Sequence, residues 1–162
     1  MKTLRKIIFL LFAMFLSHSA FSQKEQLKFF EVFMDHQWKG HYINSEDSAL
    51  LHELSWEYGL DSSYVKQTKI VQEVDFKMET YFYWDYELNQ ISSLSLLNKQ
   101  MISKGKVFFK ENKLMHFYEA YFNGGSNSSK QTFGLDENDQ LSDYFYRQKS
   151  DDWIEGHFII YK

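Results

Sequence analysis

The chain has 162 residues, with 22 acidic against 18 basic side chains, a formal charge of −4, and neither cysteine nor proline. Without cysteine, disulfides, thiol nucleophiles, zinc–thiolate sites and iron–sulfur clusters are excluded. The acidity argues against nucleic acid and anionic membrane surfaces as partners, because both require positive patches. Aromatic residues make up 19%, a composition that favours strands, and without proline the turns must rest on Gly, Asn and Asp.

Residues 1–22 have the pattern of a secretory signal peptide. Lys2, Arg5 and Lys6 form a positive start, Ile7 to Leu16 an apolar run, and Ala20-Phe21-Ser22 places small side chains three and one positions before a cut. A run of about ten apolar residues is too short to cross a hydrocarbon core of roughly 30 Å. The mature chain is therefore expected to carry no integral membrane segment. The expectation is an exported bacterial protein, periplasmic or secreted, with one domain spanning 23–162. Its balance is 15 basic against 22 acidic residues, a formal −7.

Leu27, Phe30, Phe33 and Met34 recur at spacings of three and four, which predicts a short amphipathic helix over 24–36. So apolar a helix must pack on something, and the open end or side of a sheet is the natural partner. Strands are then predicted over 38–43, 50–58 and 63–73. The longest alternation is Val74 to Glu87, with Val74, Phe76, Met78, Thr80, Phe82, Trp84 and Tyr86 on one face and mostly charged residues or tyrosine on the other. A period of two over this length is a strand with one buried face. Further strands are expected over 91–97, 101–110, 114–122, 130–135, 141–149 and 153–161. Gly105 is expected to mark a bulge or a close backbone approach, and the NGGSNSS run at 123–129 an exposed loop.

Short strands at regular spacing, joined by turns and with no crossover helix between them, define the fold class. The chain is all-β, a single antiparallel up-and-down barrel of about eight to ten strands with the short N-terminal helix packed at the barrel end. Closure removes the exposed edges of the long aromatic strand.

Catalytic signatures are missing. There is no G-x-S-x-G elbow, P-loop or G-x-G-x-x-G. The acidic residues Asp75, Glu79, Asp85 and Glu87 and the turn segments 136–139 and 151–152 read as solvated faces and turn formers. DENDQLSD lacks the glycine and glutamate of a calcium loop. His36, His41, His52, His116 and His157 show no metal-ligand spacing, so no metal site and no cofactor is specified. The aromatics are more suggestive, since they occur on nearly every strand and either fill a barrel core or line a pocket.

The mature chain resembles a bacterial lipocalin-like (calycin-type) β-barrel domain of unknown function. The resemblance rests on a helix leading into Trp38-Lys39-Gly40, on Glu53-Leu54-Ser55-Trp56-Glu57 ending at Gly59, and on a last strand running Trp153-Ile154-Glu155-Gly156-His157. The lipocalin signature places glycine two residues before the tryptophan, whereas here Gly40 follows Trp38. The resemblance implies a barrel able to hold a small hydrophobic or amphipathic molecule. Trp38, His52, Trp56, Phe82, Trp84 and His116 are the expected lining. Two alternatives stand beside it: an enzyme using histidines or carboxylates of the same cavity, and an interaction module with a filled core and an outer apolar patch.

Overall fold

Strict alternation along the strands sets the architecture. In β3 (Tyr64–Val71) every second residue is buried, and β2 (His52–Tyr58) follows the same rhythm. A sheet with one apolar face must cover it, and this one closes on itself. The computed structural model describes residues 23–43, 49–98 and 101–162. It is a closed antiparallel barrel of ten strands, as the all-β reading expects. The other strands are β1 (Gln37–Tyr42), β4 (Phe76–Asp85), β5 (Gln90–Leu97), β6 (Met101–Lys110), β7 (Lys113–Phe122), β8 (Gly125–Leu135), β9 (Leu141–Lys149) and β10 (Asp152–Tyr161). Each pairs with its neighbours in sequence, and β1 closes on β10.

The closing seam is short. Gly40 pairs with Tyr161 and Tyr42 with Ile159, while Lys39 and Lys162 exchange backbone hydrogen bonds of 3.1 and 2.9 Å. Glycine is required here because a Cβ on Gly40 would lie 2.5 Å from the Ile160 carbonyl oxygen.

The N-terminal helix lies across one end of the barrel. Residues 23–27 are α-helical and Lys28–Phe33 continue as 3₁₀. It ends before the expected His36, because Met34 is extended and Asp35 takes a positive φ. Leu27, Phe30 and Phe33 point into the barrel and are buried; their three-residue spacing suits the tighter 3₁₀ turn. Three side-chain bonds hold the plug. Gln23 donates to the Ser63 carbonyl (2.8 Å), Tyr58 to Glu31 (3.1 Å) and Trp38 Nε1 to the Phe33 carbonyl (2.9 Å). No described helix is long and apolar enough to cross a membrane.

Three boundaries differ from expectation. The central strand is shorter, because Gln72–Val74 form a single 3₁₀ turn and Asp75 is left-handed, a conformation that aspartate tolerates. Val74 continues the alternation by composition only and is exposed. The polar run at 123–129 is mostly strand, since β8 starts at Gly125 and Ser126 to Ser129 pair with β7. Ladder bonds come from the backbone, so exposed serines at the barrel rim do not prevent pairing. The register shift lies at Gly156, between Glu155 and His157, and not at Gly105. Gly105 is a close approach, one of the two roles expected of it: a Cβ there would run into the Phe117 carbonyl oxygen. The signal segment and the expected turns at 44–48 and 99–100 fall outside the described residues.

Candidate functional site

Inward-facing residues form three levels along the barrel axis. Nearest the helix is an aromatic plug. Phe30 enters between Phe82 (ring centroids 4.9 Å), Trp56 (5.6 Å) and Phe109 (5.3 Å, edge-on). Phe33 covers the Trp56 ring at 5.2 Å, and Trp56 stacks on Phe82 at 5.5 Å. Two residues further along β3, β4, β5, β7, β8 and β9 the interior becomes polar, because the same face carries Gln67, Thr80, Ser93, His116, Gln131 and Asp143.

This polar level is hydrogen-bonded in clusters. Asp143 is fully buried; it accepts from Lys69 Nζ at 3.0 Å, from Gln131 Nε2 at 2.7 Å and from the Tyr161 hydroxyl at 3.5 Å. Thr80 donates to Ser95 at 2.9 Å, and Ser93 Oγ meets His116 Nε2 at 2.7 Å. Burial pushes the His116 pKa down to about 3. The imidazole is therefore held neutral, and its bond to Ser93 lies within the buried polar level. His52 lies edge-on to Tyr42 at 4.3 Å. Neither of its ring nitrogens has a hydrogen-bond partner, and burial, followed by the charge of Lys69, lowers its pKa to about 4.

Beyond the polar level, at the end opposite the helix, the barrel holds a cavity of about 380 Å³. Phe76, Met78, Leu97, Met101, Ala120 and Phe122 form an apolar wall contributed by β4 to β7. Lys69, Ser103, Tyr118, Ser129 and Gln131 form a polar floor, and Phe145, Arg147 and His157 close the other side. The Phe145 and His157 rings stack at 4.7 Å, with the Arg147 guanidinium 5.6 Å from the Phe145 ring. His157 Nε2 is buried and has no partner. Burial and then the Lys69 charge hold its pKa near 4, while burial raises that of Tyr118. Among the described residues no group of three or more His, Asp or Glu is placed to hold a metal.

The six side chains expected from the sequence as ligand-binding all face inward, but none lines this cavity. Trp56 and Phe82 belong to the plug, with Trp38 and Trp84 packed around the same core cluster, and His52 and His116 lie in the polar level. The aromatic end holds Phe30 and Phe33 where an aromatic-lined pocket was expected. The cavity floor and the carboxylate behind it carried a readable signal. Lys69 is in phase with Val65, Gln67 and Val71, and Asp143 with Leu141, so each is a charge at a core position of its strand.

The two most voluminous of the other depressions described lie outside the barrel. One of about 730 Å³ crosses the outer sheet face beside Tyr83, Lys104, Glu119 and Trp153. The other, about 630 Å³, sits at the helix end beside Phe29, Val32, Phe109 and Leu135. Neither has a buried charge on its lining. No protein-family profile matches this chain, and no curated protein matches it in sequence.

Proposed function

We propose that the protein is an exported lipocalin-like barrel that binds a small amphipathic ligand in the cavity opposite its helix. The observation that carries the reading is the composition of that cavity, about 380 Å³ with an apolar wall from β4 to β7 over a charged, hydrogen-bonding floor. Ligand sites are typically apolar concavities with a few placed polar groups. The architecture supports the resemblance at the level of a closed up-and-down barrel with a helix at one end. Ten strands are two more than the eight of a lipocalin barrel, and a wider barrel needs more filling. Phe30 and Phe33 fill one end, and the other is left for a guest. Residues 1–22 support export, with the mature chain starting at Gln23.

Native mass spectrometry of the protein purified from its own host tests the reading. A co-purifying small molecule and an intact mass beginning at Gln23 are expected. No bound molecule, together with no binding of a fluorescent fatty-acid probe, would overturn the ligand reading. An intact mass that retains residues 1–22 would overturn export.

A further inference from the structure

We infer that the ligand is a small organic monoanion, a carboxylate of about a dozen non-hydrogen atoms, whose charged end lies among Lys69, Arg147 and His157. The inference rests on the cavity reading above and narrows it to one chemical class.

Charge is the first argument. The basic side chains Lys69, Arg147 and His157 line the cavity, and no aspartate or glutamate does. Asp143 lies behind the floor, fully buried and already engaged by Lys69, Gln131 and Tyr161. It offsets the Lys69 charge and leaves that of Arg147 in excess. A positive excess beside a partly desolvated cavity is complemented by one negative charge and not by a neutral or cationic guest.

Donors are the second. Lys69 is only 5% exposed, yet it reaches the cavity. Its ammonium carries three N–H donors, of which one is directed at Asp143. His157 Nε2 is buried without a partner; in the neutral ring the tautomer protonated there can donate to an oxygen. Arg147 adds a planar fork suited to a carboxylate; its guanidinium lies over the Phe145 ring, which itself stacks on His157.

The third argument is polarity across the cavity. The charged groups come from β3, β9 and β10, and the apolar wall from β4 to β7. A guest with a charged head and an apolar body fits only one way round. Size is the fourth: at roughly 30 Å³ per water-sized group, a cavity of about 380 Å³ admits a medium-chain or aromatic acid. A sixteen-carbon chain at full length or a haem exceeds that volume and would extend past the rim, where it gains no further wall contact.

Isothermal titration of the protein with octanoate, 1-octanol and hexadecanoate tests the assignment. Octanoate is expected to bind at least tenfold more tightly than 1-octanol, and hexadecanoate no more tightly than octanoate. Arg147→Met, at the exposed rim, and His157→Phe, which keeps the stack, should each cut octanoate affinity severalfold while 1-octanol stays within twofold. Equal or tighter binding of 1-octanol would overturn the carboxylate assignment while leaving the cavity reading intact. So would octanoate affinity unchanged in both variants. Tighter binding of hexadecanoate would overturn the size limit, and no binding of any of the three would overturn the assignment together with the cavity reading.

Discussion

Phe30→Ala removes the side chain around which the helix end of the barrel is packed. Phe30 is 0% exposed and is held by Trp56, Phe82 and Phe109 at ring distances of 5.6, 4.9 and 5.3 Å. Truncating a buried phenylalanine costs the lost transfer energy plus a cavity term, about 3–5 kcal/mol in all. The upper part of that range is expected, because the surrounding wall is hydrogen-bonded sheet with little freedom to collapse into the void. For a domain of this size each kcal/mol corresponds to about 4 °C, so the melting temperature should fall by roughly 16–20 °C. Phe29→Ala, one residue earlier, is the control. Phe29 is 60% exposed and keeps one stacking contact, with Phe109 at 4.9 Å, so its loss should cost under about 1 kcal/mol. Urea unfolding followed by tryptophan fluorescence measures both. Losses of less than 1 kcal/mol at both positions would refute the plug, because Phe30 would then not be filling the barrel.

Three other outcomes follow from the interior. Lys69→Met strands the buried Asp143 carboxylate and should cost about 3–5 kcal/mol, whereas Lys69→Met with Asp143→Leu should recover most of that loss in urea melts; a double variant as unstable as the single one would contradict the pairing. Folded His52 and His157 titrate near 4 and His116 near 3, below the 6.5 of the unfolded chain. The unfolded state therefore takes up protons first. Stability should be full above about pH 6.5 and fall as the pH drops toward 4, by up to about 1.4 kcal/mol per histidine per pH unit. Calorimetry from pH 7.5 to 4.5 checks this, and a melting temperature that stays flat or rises on acidification would contradict it. Gly40→Ala places a Cβ 2.5 Å from a backbone oxygen of β10, so it should destabilise the seam by about 1–3 kcal/mol. Amide hydrogen exchange at Lys39 and Lys162 should report the weakening, and unchanged protection there would show that the seam absorbs the methyl.

The barrel was legible because it is written in period two. Phe76, Met78, Thr80, Phe82 and Trp84 all face inward along β4, as their alternation predicts. The three-residue spacing of Leu27, Phe30 and Phe33 likewise announced a helix that buries one face. What could not be read was which aromatics fill space and which border it. Trp56 and Phe82 have the composition of a pocket wall, but Phe30 from a distant segment occupies the volume beside them, and periodicity along one strand carries no information about that. The cavity side chains were hidden for the opposite reason. Lys69 and Arg147, like Asp143 behind them, resemble surface charges by type, and only their phase relative to Val65 and Leu141 marks them as inward. The strand start after Asp75 and the register shift at Gly156 depend on local backbone conformation, to which hydrophobic pattern is blind.

The central claim is that the guest site lies at the barrel end opposite the helix. Two-dimensional ¹H–¹⁵N NMR during titration with octanoate tests it residue by residue. Shifts are expected to concentrate at Ser103, Tyr118, Ala120, Ser129, Phe145 and His157, which line the cavity, with Phe30, Trp56 and Phe82 unmoved. Shifts centred on the Phe30–Trp56–Phe82 plug, or on the outer face around Tyr83 and Trp153, would contradict it.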